Sequence, residues 1–307
     1  MRYVLTGCGF GLVFLLGWLA LASTQPTPAP AAAPEETLVE EGRLSQKVEP
    51  VDLSGPFTFA GEEIPVDNFD VRERLDQELL RNAYFHRNTL VMLKRRTRFF
   101  PTIERILAEE GLPEDLKYLA VAESGLANVK SPAGAQGVWQ FMAPTGRAYG
   151  LEINKEVDER YHLEKATRAA CAYIKDYYKQ YDDWRWVAAA YNMGGPNVNK
   201  WRERQRAETV FDLDINSETM AYLFRIVALK TIMEDPAAFG YDISAEDHYP
   251  PLEGWRPLTV SKSIANLGDF AKEHGTNYRT LKLYNPWLIA GSLPISRGNS
   301  YAILVPQ

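Results

Sequence analysis

The sequence contains few of the residues from which metal and redox centres are built. Its 307 residues include two cysteines, Cys8 and Cys171, and four histidines. The histidines are scattered at His86, His162, His248 and His274. No cluster of His, Cys and Asp has the spacing of a metal site, so we expect no metal and no cofactor. Cys8 lies in an apolar N-terminal segment, which leaves Cys171 as a small buried hydrophobe without a disulfide partner.

The chain also lacks an excess of positive charge. Its formal net charge is −6, with a sequence pI near 5.4. This balance argues against nucleic acid as a partner. A local basic run, KRRTR at 94–98, fits either contact with an anionic polymer or a solvated helix end.

Long apolar runs are confined to the N-terminus. Arg2 precedes an apolar stretch that reaches Ala22, and residues 20–22 read Ala-Leu-Ala, which is an A-x-A cleavage pattern. Residues 1–22 are therefore a signal peptide or, if uncleaved, a single-pass membrane anchor, and the rest is exported in both cases. A proline- and alanine-rich stretch followed by an acidic one predicts a linker over 23–66.

Helical periodicity dominates from residue 67. Apolar residues recur at helical spacing from 71 to 93, again from 103 to 107, and over 165–181. Asp183 can cap the following segment, which ends at Gly194, and Ser217 can cap a helix over 218–234. The sequence therefore predicts a mainly α domain over 67–240.

The stretch that organises this domain runs from Glu114 to Leu151. A helix that starts at Leu112-Pro113 places Leu116, Leu119 and Ala120 on one stripe, and Glu123 continues that stripe. An acid on an apolar face is desolvated, so we expect a raised pKa and a general acid. The alternative is an ordinary glutamate that points to water from the last helical turn.

The residues after Glu123 favour the first interpretation. Ser124-Gly125 ends the helix, and a turn region rich in glycine follows. Trp139-Gln140-Phe141-Met142 then combines aromatic rings with one neutral amide. Sugars bind to such surfaces through stacking and oriented hydrogen bonds.

These motifs resemble a known family. The pair ES at Glu123, a serine eight residues later, GAQGVWQFM and the downstream AAYNMGG occur in the order of the soluble lytic transglycosylase (SLT, goose-lysozyme-like) domain. The similarity covers about residues 67–235 and is greatest to the D-type membrane-bound lytic murein transglycosylases. It implies a lysozyme-like helical catalytic domain and a periplasmic location.

The resemblance also implies roles for site residues. Glu123 would be the catalytic acid and base, and Tyr191 would hydrogen-bond near it and orient it. Ser131 and Gln140 would hold the N-acetyl group and the glycan. The remaining implied substrate-binding residues are Met142 on the cleft floor, Asn192 at the sugar subsites, and Glu218 and Tyr222 along the cleft. For Glu218 the favourable position of an acid in a first helical turn is a sufficient structural alternative.

Residues 256–307 resemble a degenerate LysM module. A strand-like start near Leu258, two short helical segments and a terminal strand predict a small βααβ unit. The resemblance implies that such a unit binds N-acetyl sugars. Lys262-Ser263 replaces the GD that usually follows the first strand, so the resemblance leaves sugar binding by the module open.

Together these features predict a peptidoglycan lytic transglycosylase that cleaves the MurNAc–GlcNAc β-1,4 bond and leaves 1,6-anhydroMurNAc ends. A hydrolase normally needs two flanking carboxylates, and only one acid here has a strong motif. The alternatives are a goose-type lysozyme and a non-catalytic glycan-binding protein. The expected partners are peptidoglycan glycan strands and, through an uncleaved N-terminus, the membrane, for a monomeric protein that binds no nucleic acid.

Overall fold

The structure, a computed structural model, describes residues 49–307. The predicted signal peptide or anchor at 1–22, Cys8 and the predicted linker up to residue 48 lie outside the described residues. Within 49–307, no helix has both the length and the apolar character needed to cross a membrane.

The described residues confirm the mainly α fold class. The α-helices are Phe69–Tyr84 (α1), His86–Glu109 (α2), Lys117–Ser124 (α3), Ala143–Ala148 (α4), Leu163–Tyr181 (α5), Trp184–Met193 (α6), Gly195–Gln205 (α7), Ser217–Glu234 (α8), Leu267–Glu273 (α9) and Tyr278–Tyr284 (α10). The strands are Thr58–Phe59 (β1), Glu62–Glu63 (β2), Trp255–Val260 (β3) and Tyr301–Pro306 (β4).

Helix α8 is the centre of the main helical domain. It packs against α1, α3 and α6, and it buries residues on every side, so it shows little amphipathic character. Its N-cap is Asn216, whose side chain accepts from the Thr219 amide. The predicted cap, Ser217, is instead the first helical residue, because an amide oxygen one position earlier already satisfies the exposed amide.

The first helical region divides at a different place from the predicted one. The break falls at Phe85, where the Thr89 hydroxyl donates to the Asn82 carbonyl oxygen at 2.5 Å. Helix α2 then continues through Pro101. A proline removes one backbone hydrogen bond, but buried neighbours such as Ile103 hold the helix together by packing.

Helix α7 was absent from the sequence-based prediction. Gly194, with φ 82°, ends α6, and Pro196 lies in the first turn of α7. Because α7 buries only Gly195 and Val198, it has almost no apolar stripe for periodicity to detect.

Part of the predicted linker belongs to the folded unit. Strands β1 and β2 form a hairpin, and the residues around it pack into the main core. The buried side chains of this segment are Leu53, Phe57, Phe59 and Ile64. Their combined apolar area is a sufficient reason for residues 53–66 to fold rather than to act as a tether.

The C-terminal module has the predicted βααβ order. Strands β3 and β4 pair antiparallel from Trp255↔Pro306 to Val260↔Tyr301, and α9 and α10 lie between them in the chain. Its core is built around Leu267, Leu281, Leu288 and Ile303, and Val157 of the main helical domain is buried in the same cluster.

Candidate active site

Helix α3 places Glu123 at the edge of the main core. Leu116, Leu119 and Ala120 are fully buried, as the predicted apolar stripe requires. Gly125 adopts φ 58° and donates its amide to the Val121 carbonyl oxygen, which ends the helix one turn after the stripe. The end of α3 therefore fixes where the Glu123 carboxyl emerges.

The Glu123 carboxyl is surrounded by protein and keeps only partial contact with solvent. Desolvation raises its pKa to about 7. A hydrogen bond from Tyr222 and the positive charge of Arg225 lower the pKa, whereas the negative charge of Glu218 raises it, and desolvation outweighs them. Such a carboxyl holds its proton near neutral pH and can deliver it.

The tyrosine that orients Glu123 is Tyr222. Its hydroxyl donates to Glu123 Oε1 at 2.5 Å, and the tyrosine side chain is buried. Tyr191, for which the resemblance implied this role, instead donates its hydroxyl to the Trp139 carbonyl oxygen at 2.7 Å. The two tyrosines thus have different tasks: Tyr222 contacts the acid and Tyr191 contacts the neighbouring loop.

Glu218 differs sharply from Glu123. Its side chain is 62% exposed and receives hydrogen bonds from Arg225 Nη1 at 2.8 Å and Nη2 at 3.4 Å. These bonds lower the pKa of Glu218, so it stays ionised. Arg225 also lies 3.5 Å from the buried carboxylate of Glu78, which places a positive charge beside the cleft. Sequence reasoning missed Arg225 and Glu78, since both occur within ordinary helical patterns.

Residues 129–141, which we call the cleft loop, lie beside Glu123. The Ser124 hydroxyl donates to the Val138 carbonyl oxygen at 2.8 Å, and Tyr191 holds the next carbonyl, that of Trp139. The Trp139 indole Nε1–H donates to Thr167 Oγ1 at 2.9 Å. The serine of the ES pair is thus a link between the end of α3 and the loop.

Ser131 and Gln140 shape the cleft loop from within. Ser131 Oγ accepts from the Ala135 amide at 3.0 Å. Gln140 has φ 50° and donates its side-chain amide to the carbonyl oxygens of Gly137 at 2.7 Å and Val129 at 3.0 Å. These bonds use the Gln140 NH₂ group and leave its side-chain carbonyl as the group that can accept from a sugar.

The other implied substrate-binding residues lie around the same region. Met142 follows the cleft loop, and its side chain is 43% exposed. Asn192 Oδ1 accepts from the Thr219 hydroxyl at 2.8 Å and so connects the end of α6 to the start of α8.

Among the described residues, no group of three or more His, Cys, Asp or Glu could hold a metal ion.

Two family models match the sequence. The Transglycosylase SLT domain matches residues 101–212, and the Soluble lytic transglycosylase C-terminal LysM-like domain matches residues 256–307. The chain is similar to membrane-bound lytic murein transglycosylase D of Escherichia coli strain K12, with 27% identity over 260 residues. The match covers 82% of this chain and 55% of that protein, so the chain spans about half the length of the curated relatives it matches.

Two solved structures are also similar to the chain. One is the 70 kDa soluble lytic transglycosylase SLT70 from Escherichia coli, with 18% identity, a TM-score of 0.39, and coverage of 61% of this chain and 37% of that one. The other is an inactive variant of lytic transglycosylase Slt from Pseudomonas aeruginosa, with 19% identity, a TM-score of 0.37, and coverage of 49% and 26%. On the strength of the two family matches, the chain carries a transglycosylase SLT domain followed by a LysM-like domain of the soluble lytic transglycosylase type.

Proposed function

We propose that the protein is a peptidoglycan lytic transglycosylase whose catalytic acid and base is Glu123. The observation that carries this proposal is the desolvated carboxyl of Glu123, which has a pKa near 7 and is oriented by the buried Tyr222. The match to the SLT domain and the similarity to a lytic murein transglycosylase support the same reaction.

In the proposed reaction the protonated Glu123 donates its proton to the bridging oxygen as the bond from that oxygen to C1 breaks. The N-acetyl carbonyl of the substrate stabilises the cation at C1. Glu123, now a carboxylate, takes the proton of the C6 hydroxyl, and O6 bonds to C1 to give the 1,6-anhydro product. The proton returns to Glu123, and no water is consumed.

A goose-type lysozyme is the second candidate, because the same acid can deliver water. Hydrolases of the two-carboxylate type hold their acids about 5–9.5 Å apart on either side of the bond. Within residues 49–307, the other carboxylate that affects the pKa of Glu123 is Glu218, which is exposed and paired with Arg225. This pairing favours the lyase, in which the substrate supplies its own nucleophile.

Mass spectrometry of the products released from purified sacculi tests the proposal. We expect muropeptides lighter than the hydrolytic products by one water. Hydrolytic products would assign a lysozyme, and sacculi left intact by a folded protein would assign a glycan-binding protein.

The proposed location is the periplasm, supported by the similarity to a membrane-bound murein transglycosylase. A reporter active only in the cytoplasm, fused after residue 60, should be inactive. Carbonate extraction of membranes then separates a cleaved signal peptide from an anchor at 1–22.

A further inference from the structure

Residues 156–160, which we call the coupling segment, join the C-terminal module to the catalytic domain. The Ile289 amide donates to the Glu156 carbonyl oxygen, and the Asp158 amide donates to the Trp287 carbonyl oxygen, both at 2.9 Å. Val157, between them, is fully buried in the core of the module. The module therefore binds this segment through backbone hydrogen bonds and through the buried side chain of Val157.

The other end of the coupling segment touches the cleft loop. Arg160 Nη1 donates to the Phe141 carbonyl oxygen at 3.1 Å and to the Gly134 carbonyl oxygen at 3.3 Å. Gly137 approaches so closely that a Cβ there would lie 1.9 Å from the Arg160 carbonyl oxygen. Arg160 thus secures both ends of the turn that contains Gln140.

Asp158 fixes the orientation of the Arg160 guanidinium. Asp158 Oδ1 accepts from Nε at 2.9 Å, and Oδ2 accepts from Nη2 at 2.7 Å. Both residues are buried, with 4% of Arg160 and 3% of Asp158 exposed. A bidentate pair leaves the remaining Nη1 hydrogens aimed in one direction, which a lysine cannot reproduce.

We propose that Arg160 is a positioning residue through which docking of the C-terminal module holds the cleft loop, and with it Gln140, in the geometry that binds the glycan. The inference rests on the proposed function for its kinetic part. It gives the module a role in the reaction at the cleft, beyond any attachment to sacculi.

Amide hydrogen exchange of the full-length protein tests the physical link without reference to activity. The reporters are the amides of Ser131, Gln136 and Gly137, which bond to carbonyls within the cleft loop. In Arg160→Lys we expect exchange about tenfold faster at these amides, because the ammonium keeps the charge but cannot pair with Asp158 and reach both loop carbonyls at once. The matched control is Arg147→Lys, since Arg147 also donates to a carbonyl, that of Ile153, but is exposed. Equal protection in the two variants would overturn the proposal.

A leucine pair tests whether the module itself contributes. Leu288 and Leu293 are both fully buried in the core of the module. The backbone of Leu288 bridges to Val157, whereas that of Leu293 bridges to Ile264 within the module. Leu288→Val should speed exchange in the cleft loop and Leu293→Val should not, with the amides of β4 as a measure of module folding. The same effect from both, or from neither, contradicts a link that runs through the coupling segment.

Kinetics on soluble glycan fragments test the consequence for catalysis. Arg160→Lys should lower kcat/KM about ten- to hundredfold, mainly through KM, because the acid is intact but the substrate is held less well. The pH at which activity falls should match that of the wild type, since Glu123 keeps its neighbours. Wild-type kinetics in Arg160→Lys with a loosened loop would overturn the positioning role. A wild-type protein without lytic activity would instead refute the proposed function, and the exchange results would still decide whether Arg160 holds the loop.

Discussion

The end of α3 and the coupling segment each hold a carboxyl group away from bulk water, but the hydrogen-bond partner is neutral in the first and charged in the second. Glu123 receives its hydrogen bond from a neutral tyrosine, so desolvation outweighs the other effects and the pKa rises to about 7. Asp158 faces a guanidinium in a bidentate pair. A buried acid with a neutral partner is able to exchange a proton, whereas one paired with arginine serves as a structural charge.

The two carboxyls also differ in their effect on the stability of the fold. The Glu123 carboxyl destabilises the fold when it is ionised, whereas the ionised Asp158 is compensated by its partner. Ionisation of Glu123 is favoured in water and opposed in the fold. The pair of Asp158 and Arg160 offsets the desolvation of each ion by their mutual attraction and by the two carbonyls that the guanidinium also contacts.

The largest expected effect comes from Glu123→Gln. The amide keeps the shape of the side chain but cannot deliver a proton, so turnover should fall about 10²- to 10⁴-fold. Release of anhydromuramic products measures this loss, with circular dichroism as the control for folding. Near-native turnover by a folded variant would move the acid elsewhere, and Glu218 would be the next residue to test.

The same variant also tests the pH dependence of stability. Below pH 4.5 the carboxyl is protonated in the folded and unfolded states, so it contributes no difference. As the pH rises from 4.5 towards 7, the unfolded chain ionises first and the wild type loses stability. Glu123→Gln should therefore be more stable than the wild type by about 1–3 kcal/mol at pH 8, with the difference vanishing near pH 4. Denaturant unfolding at both pH values provides the measurement.

Asp158→Asn should weaken the fold rather than the chemistry. Removal of one partner from a buried ion pair typically costs about 3–5 kcal/mol, because the guanidinium keeps its charge without a counter-ion. Thermal unfolding should show a clear drop in Tm. Asp176→Asn is the control, since Asp176 is exposed and pairs with Lys179, and its Tm should stay close to that of the wild type. A similar Tm for both variants would contradict the proposal that the buried Asp158 stabilises the fold more than the exposed Asp176 does.

Tyr222→Phe sharpens the comparison at the acid itself. The lost hydrogen bond should reduce kcat/KM about ten- to hundredfold, given the usual strength of a bond to a charged group. Because that bond lowers the pKa of Glu123, its removal raises the pKa. Since the acid must be protonated to act, activity should persist to a higher pH than in the wild type. Tyr191→Phe is the matched control, as its hydroxyl bonds to Trp139, and its pH profile should shift less.

Glu218→Gln should have the smallest effect, with a shift in the opposite direction. Its negative charge raises the pKa of Glu123, and its loss leaves Arg225, whose charge lowers that pKa, with Glu78 as its remaining carboxylate partner. Activity should therefore begin to fall at a lower pH, while the rate in acid changes little. A large loss of rate at every pH would instead assign Glu218 a direct part in the reaction.

Local signals explain what the sequence could predict. The apolar stripe that ends at Glu123, the cap at Asp183 and the turn residues after Ser124 are each written within a few residues, so the helices and the acid could be placed. The βααβ order of the C-terminal module has the same kind of local signature.

Other features depend on partners distant in the chain. Arg160 belongs to none of the motifs in the sequence, and the carbonyls that it contacts lie 19 and 26 residues away. The contacts of the two tyrosines have the same origin, since the acceptor of Tyr222 lies 99 residues away in the chain and that of Tyr191 lies 52 residues away. The type of a residue does not show whether its backbone carbonyl accepts a hydrogen bond from a distant side chain. These roles could therefore be found only in the three-dimensional structure.

The buried thiol of Cys171 has a consequence for the reaction of the folded protein with oxidants. The side chain is fully buried in α5, and burial raises its pKa to about 12. The thiol therefore stays protonated at neutral pH, and the folded protein offers little thiolate to oxidants or to other disulfides. In a variant without Cys8, Cys171 would therefore react with a thiol reagent only when the core opens. The rate of this reaction would measure the rate of core opening.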